Sequence, residues 1–194
     1  TLLLTLSATL AVSAAVYSKL NYNPRADLKC ITELVLSRGV LVVNSALPIH
    51  DIKELIAYSK ANPDKLAMAN WGLGSAGHTT QNVLNTKFGA KIMQVPYKGE
   101  PQMLTDLIGG QVGFAMLSAP TTQGNLKGGK IRPIGIVGTQ RLDILPGVKT
   151  MTEQGFFHDS WDMDGPVGLF APKGTPEPIL RTLNAAFAPA ANTP

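Results

Sequence analysis

Cysteine is almost missing from this chain of 194 residues: only Cys30 carries a thiol. A lone cysteine excludes a disulfide framework and a cysteine-based metal site. Histidine is scarce as well, and His50, His78 and His158 lack the spacing of metal ligands. Charged residues make up only 15% of the chain against 44% apolar ones, which argues for a folded globular protein and against disorder. The net charge of +4 is mild and its basic residues are scattered. No basic run with interleaved aromatics suggests nucleic acid. The balance suits a small anionic ligand.

Catalytic constellations are lacking too. No paired carboxylates occur, and Gly74-Ser75 runs into Ala76-Gly77, so there is no nucleophile elbow of the Gly-x-Ser-x-Gly type. Ser75 and His78 share one turn without a positioned acid, since Asp106 and Glu153 lie in unrelated stretches. Neither an enzyme nor a metal or other cofactor is expected on these grounds.

Residues 1–20 imitate a secretory signal but have no initiator Met and no basic n-region. Thr5, Ser7, Thr9 and Ser13 interrupt the apolar stretch and weaken it as a membrane span. The pattern predicts a buried strand over Leu2 to Leu6 and a short helix ending near Leu20. A chain that opens on a buried strand reads as a fragment. The length suits one domain or two small ones with a sizeable core.

What the chain does have is a glycine-rich turn, Trp71-Gly72-Leu73-Gly74-Ser75-Ala76-Gly77-His78. An apolar strand precedes it, and Val83, Leu84 and Phe88 follow at helical spacing. Such a turn leaves backbone N–H groups unpaired beside the positive end of a helix dipole, which makes an anion site. The spacing Gly72-x-Gly74-x-x-Gly77 also fits a dinucleotide fingerprint. However, the next strand runs into Pro96-Tyr97-Lys98-Gly99 rather than the acid that would hold a ribose; Glu100 comes only after that turn. A third reading is that the glycines only let helix and strand pack closely.

Around this turn, strands and helices alternate. Asp51 with Glu54 makes a capping box for a helix whose inner stripe is Ile52, Leu55 and Ile56. Pro101 opens another helix with Met103, Leu104, Leu107 and Ile108 on its apolar face. Val112 to Met116, Ile131 to Val137 and Val167 to Ala171 read as strands. Thr175 is the expected N-cap of a last helix with Ile179, Leu180, Leu183 and Phe187 inward. The alternation predicts an α/β fold rich in parallel pairs.

Several stretches together resemble one family. They are Gly72-Leu73-Gly74-Ser75-Ala76-Gly77-His78, Val95-Pro96-Tyr97-Lys98-Gly99 and Leu104-Thr105-Asp106-Leu107-Ile108-Gly109-Gly110-Gln111-Val112. To these the C-terminal part adds Arg141, Leu145-Pro146-Gly147-Val148, Glu153, Gly155 and Gly168-Leu169-Phe170-Ala171-Pro172-Lys173-Gly174-Thr175-Pro176. The whole series is similar to the Bug-type periplasmic receptors of tripartite tricarboxylate transporters. The resemblance implies a two-lobed periplasmic-binding-protein fold of the type II, Venus-flytrap kind, holding a small mono-, di- or tricarboxylate between its lobes. It implies one complete lobe over residues 38–137. Residues 1–37 and 138–194 would belong to a second, incomplete lobe, with its N-terminal segment and C-terminal end missing. Membrane transporter subunits would be the partners and the periplasm the location. Alternatives are a dinucleotide-binding enzyme using Gly72 to Gly77 and a ligand sensor for a signalling partner.

The residues expected at the ligand are Gly74, Ser75, Ala76, Gly77, His78, Tyr97, Lys98, Gly99 and Ser118. Ser75 reads either as a ligand contact or as a plain N-cap, and His78 as a neutral ring bonded to the loop. Lys98 reads equally as a cation for the ligand or a solvated lysine. Ser118 and Thr121 flank Pro120 in what reads as an ordinary loop, and Trp161 as a pocket wall or a core residue. The chain departs from the family pattern at Gln111-Val112-Gly113, at Leu117-Ser118 and at Asp162-Met163-Asp164. Ligand identity therefore does not carry over.

Overall fold

The computed structural model describes residues 1–161 and 165–189, so the Asp162-Met163-Asp164 stretch lies outside the described residues. The chain divides into two compact units, Arg38–Asp164 and Thr1–Ser37 with Gly165–Pro194.

The larger unit is built on β3 (Gly39–Asn44), β4 (Ala67–Asn70), β5 (Met93–Pro96), β6 (Phe114–Ser118) and β7 (Ile131–Ile136). They form one sheet in the order β5-β4-β6-β3-β7. Strand β4 runs parallel to β5 and β6, whereas β3 is antiparallel to β6 and β7. The sheet is mixed rather than parallel-rich, because β3 and β6 meet with opposite directions. Both sheet faces are covered, as the pleat shows. Leu41, Val43, Met68, Phe114 and Met116 pack on one side with α3 (Ile52–Ala61) and α4 (Ala76–Phe88). Val40, Val42, Ala69, Ala115 and Leu117 pack on the other with α5 (Glu100–Ile108). The first residue of α6 (Ala119–Asn125), Ala119, joins that second cluster.

Local signals explain the helices. The Asp51 carboxylate accepts the Glu54 N–H at 2.7 Å, and Glu54 reaches back to the His50 N–H at 2.7 Å. This is the expected capping box displaced by one residue, and Ile52, Leu55 and Ile56 are buried beneath it. The sequence reading ends this unit at 137, but residues 138–161 pack with it. Met151 donates its N–H to the Ile136 carbonyl at 2.9 Å, and Leu145, Met151 and Trp161 fill its two cores. Trp161 is a core residue: its ring stacks on Phe88 at 5.8 Å, which removes it as a pocket wall.

The smaller unit has the sheet order β1-β8-β2, from β1 (Leu3–Leu6), β2 (Leu28–Ser37) and β8 (Gly165–Pro172), with both pairs antiparallel. Its helices are α1 (Ser7–Val16), α2 (Pro24–Asp27) and α7 (Glu177–Phe187). Leu180 of α7 packs on Ile31, Leu169 and Ala171, and Asn184 bonds the Ile31 carbonyl at 2.6 Å. Three expectations are corrected here. Among the described residues strand β1 has β8 as its one neighbour, and Leu3, Leu4 and Leu6 are exposed. Helix α7 starts one residue later than expected, with Pro176 at its N-cap and no capping side chain. Ile179 and Phe187 face solvent, since this short sheet offers α7 only a narrow apolar strip.

Candidate functional site

The carboxyl ends of β4, β5 and β6 lie side by side, and each is followed by a helix. Helix α4 leaves to one face of the sheet while α5 and α6 leave to the other. Strand ends that part in this way open a crevice where α/β proteins bind ligands. All nine expected ligand residues map to this edge: five at the start of α4, three after β5, and Ser118 at the end of β6.

The first of these groups is a preformed turn. Gly72 and Gly74 hold φ of +87° and +80°, which a residue with a Cβ rarely adopts. Ser75 donates its N–H to the Gly72 carbonyl at 3.1 Å, and Gly72 donates to the buried Asn70 side chain at 2.8 Å. Gln94 of β5 holds the same Asn70 oxygen at 3.1 Å. Ser75 caps α4, its hydroxyl oxygen accepting the His78 N–H at 3.2 Å. The His78 ring faces the turn, where Nδ1 accepts the Gly74 N–H at 3.3 Å. Among the described residues nothing accepts from the N–H of Ala76 or Gly77, the first two residues of the helix. Ala76 is exposed whereas Gly77 is buried, and both N–H groups stand at the positive end of the α4 dipole. Gly77 serves a different end, for a Cβ there would stand 2.6 Å from Asn70 Cβ.

The second group departs from expectation. Tyr97 is half-buried and donates its hydroxyl to Asp106 Oδ2 at 2.6 Å, so its proton is engaged within the protein. Burial first, then the Asp106 hydrogen bond and charge, push its pKa up from 10.0 to about 12. Because the folded chain holds this proton more tightly than the unfolded one, its stabilising contribution is lost as pH rises from about 10 to about 12. Tyr97→Phe is expected to flatten the alkaline loss of stability in that window, as read by urea melts at pH 8 and above. An unchanged alkaline profile would contradict the assignment. Lys98 is exposed and has no ion pair among the described residues, and Gly99 precedes α5 in extended backbone.

The third group is also engaged. Ser118 caps α6 and meets the Glu100 carboxylate, which accepts its N–H at 2.7 Å and its hydroxyl at 2.8 Å. Thr121 donates its hydroxyl to the same carboxylate. Glu100 therefore bridges from the first turn of α5 to α6, and the Ser118 hydroxyl proton is engaged by it. Sequence reasoning missed Glu100, Asp106 and Asn70 as parts of the site. An acid in a first helical turn ordinarily reads as a dipole partner, and only the sheet order brings Glu100 to β6.

Two wider grooves lie elsewhere on this unit. One of about 660 Å³ sits at the opposite sheet edge among Asn44, Lys65, Gln111 and Lys130. One of about 490 Å³ lies among His50, Lys149 and Glu153. Neither includes a residue of the α4 mouth. The N–H groups of Ala76 and Gly77 lie instead at the carboxyl edge.

The model of the TctC family, the tripartite tricarboxylate transporter family receptor, matches residues 1–194. The chain belongs to this family. It is 29% identical over 195 residues to a UPF0065 protein of Bordetella pertussis, covering 100% of this chain and 59% of the relative. Rpa4515 of R. palustris, solved with adipate, superposes with a TM-score of 0.87 at 29% identity over 97% of this chain and 62% of that one. MatC from Rhodopseudomonas palustris, solved with bound malate, superposes with a TM-score of 0.87 at 30% identity over 100% of this chain and 65% of that one. The chain thus spans about three fifths of the length of these relatives. Its α/β fold is that of the TctC periplasmic binding proteins, which are substrate-binding receptors. Family membership leaves the dinucleotide reading of Gly72 to Gly77 without support. No described helix of this TctC chain is long and apolar enough to cross a membrane.

Proposed function

We propose that the chain binds a small carboxylate as the periplasmic receptor of a tripartite tricarboxylate transporter, without catalysing a reaction. The two compact units are, on this reading, the two lobes of the receptor. The observation that carries it is the pair of free N–H groups at Ala76 and Gly77, presented by a rigid turn at the start of α4. A carboxylate over Gly74–Gly77 accepts both, gains the helix dipole, and takes a third bond from the Ser75 hydroxyl. His78 supports the turn through Gly74 rather than meeting the ligand. Tyr97, with Asp106, and Ser118, with Glu100, fix the adjoining strand ends, while Lys98 and the Gly99 backbone border the anion. Adipate and malate in the neighbouring structures fit this chemistry.

Calorimetric titration tests the class of function. Saturable heat with adipate or malate and none with NAD or NADP supports the receptor; the reverse ends it. Ser75→Ala separates cap from contact. Loss of the cap should cost about 1 kcal/mol of stability. Loss of a charge-assisted bond to the ligand should weaken binding about tenfold. A lower melting temperature with unchanged affinity would leave Ser75 as a cap alone.

A further inference from the structure

Several polar side chains at the α4 mouth are engaged within the protein. The Asn70 side chain is taken by Gly72, Gln81 and Gln94; the Tyr97 hydroxyl by Asp106; Ser118 and Thr121 by Glu100. The hydroxyl protons of Tyr97, Ser118 and Thr121 are committed to these carboxylates, so a ligand hydroxyl that seeks a donor here competes with internal bonds. Beside its free N–H groups and the Ser75 hydroxyl, the turn offers two apolar side chains. Trp71 is 38% exposed and Leu73 56% exposed, and they flank Gly72 on the turn itself. The turn is pinned at Gly72, Gly74 and Ser75, so it presents both side chains at little further ordering cost. Neither residue belongs to a core cluster of this unit.

We infer that Trp71 and Leu73 are specificity-determining residues, and that they select a carboxylate with an unsubstituted hydrocarbon body over one bearing hydroxyl groups. This rests on the carboxylate reading above and narrows it to a substrate class. The carboxylate sits on the Ala76 and Gly77 donors while the hydrocarbon covers the Leu73 side chain and the Trp71 ring. Each methylene so buried is worth about fourfold in affinity.

Matched probes test it: hexanoate against gluconate, and adipate against galactarate, titrated into the purified chain. Each pair shares its carbon count and its carboxylates and differs only in hydroxyls. Hexanoate and adipate are expected to bind at least about tenfold more tightly than their hydroxylated partners. Trp71→Ala and Leu73→Ala should each weaken adipate about tenfold and leave galactarate within about twofold. Leu73→Gln, which keeps the side-chain length, should behave like Leu73→Ala. Trp71 emission should shift to the blue with adipate, whereas Trp161, buried in the core, should not respond. Equal or tighter binding of the hydroxylated acids overturns the inference while leaving the receptor reading in place. The same holds if the variants weaken both partners of a pair equally. Absence of saturable binding for all four acids overturns this inference, and absence for malate as well overturns the receptor reading with it.

Discussion

Gly74→Val is expected to remove carboxylate binding, with affinity falling by at least about a hundredfold, the loss of two charge-assisted bonds. Gly74 sits at φ +80°, a region closed to a β-branched residue without strain. To accommodate valine the turn must re-form, and the N–H groups of Ala76 and Gly77 are displaced with it. The Gly74 N–H would also leave His78 Nδ1, which holds the turn from inside the helix. Calorimetry with adipate reads the effect, on a variant first shown to be folded by its circular dichroism melt. A folded Gly74→Val variant that bound adipate like the parent would make the glycines packing residues only.

Gly77→Val should act on stability instead. A Cβ at this position would stand 2.6 Å from Asn70 Cβ and 3.5 Å from Met116 Cβ. Asn70 has no room to yield, since it is fully buried and its oxygen accepts from both Gly72 and Gln94. Helix α4 must therefore lift from β4, which disturbs Val83 and Leu84 in the core below. Overpacking of this kind costs about 1–3 kcal/mol, and the rigid neighbour places valine at the upper end. In a chain of this length about 3 kcal/mol lowers the melting temperature by roughly 6–12 °C. A melt within about 2 °C of the parent would contradict the close packing of α4 on β4. The three glycines of the fingerprint spacing thus have separate tasks: two hold positive φ and one permits close approach.

Much of this frame was legible in the residues, and the reasons differ from place to place. The capping box at Asp51 and Glu54 is a local event, so four residues suffice to read it. The uninterrupted apolar run of β3 reports burial on both faces, as the structure has it. Strand direction was not legible: nothing in the periodicity of β3 or β6 states that they meet antiparallel. The exposure of β1 was hidden for a related reason, because a leucine-rich run carries no signal of how many neighbours the strand gains. At the candidate site the turn and its Ser75 cap were written locally. The engagements of Tyr97 and Ser118 were not, since Asp106 lies nine residues from Tyr97 and Glu100 lies 18 residues from Ser118. The Glu100 contact joins α5 to the end of β6, two strands over from β5 in the sheet.

The central claim is that a carboxylate rests on the free N–H groups at the start of α4. Amide chemical-shift mapping during titration with adipate tests it most directly. The account predicts saturable shifts concentrated on the amides of Ala76, Gly77 and their neighbours from Leu73 to His78, with Lys65 and Lys130 at the opposite sheet edge unmoved. Saturable shifts confined to the groove around Lys65 and Lys130, or none at the α4 turn while adipate binds, would contradict it.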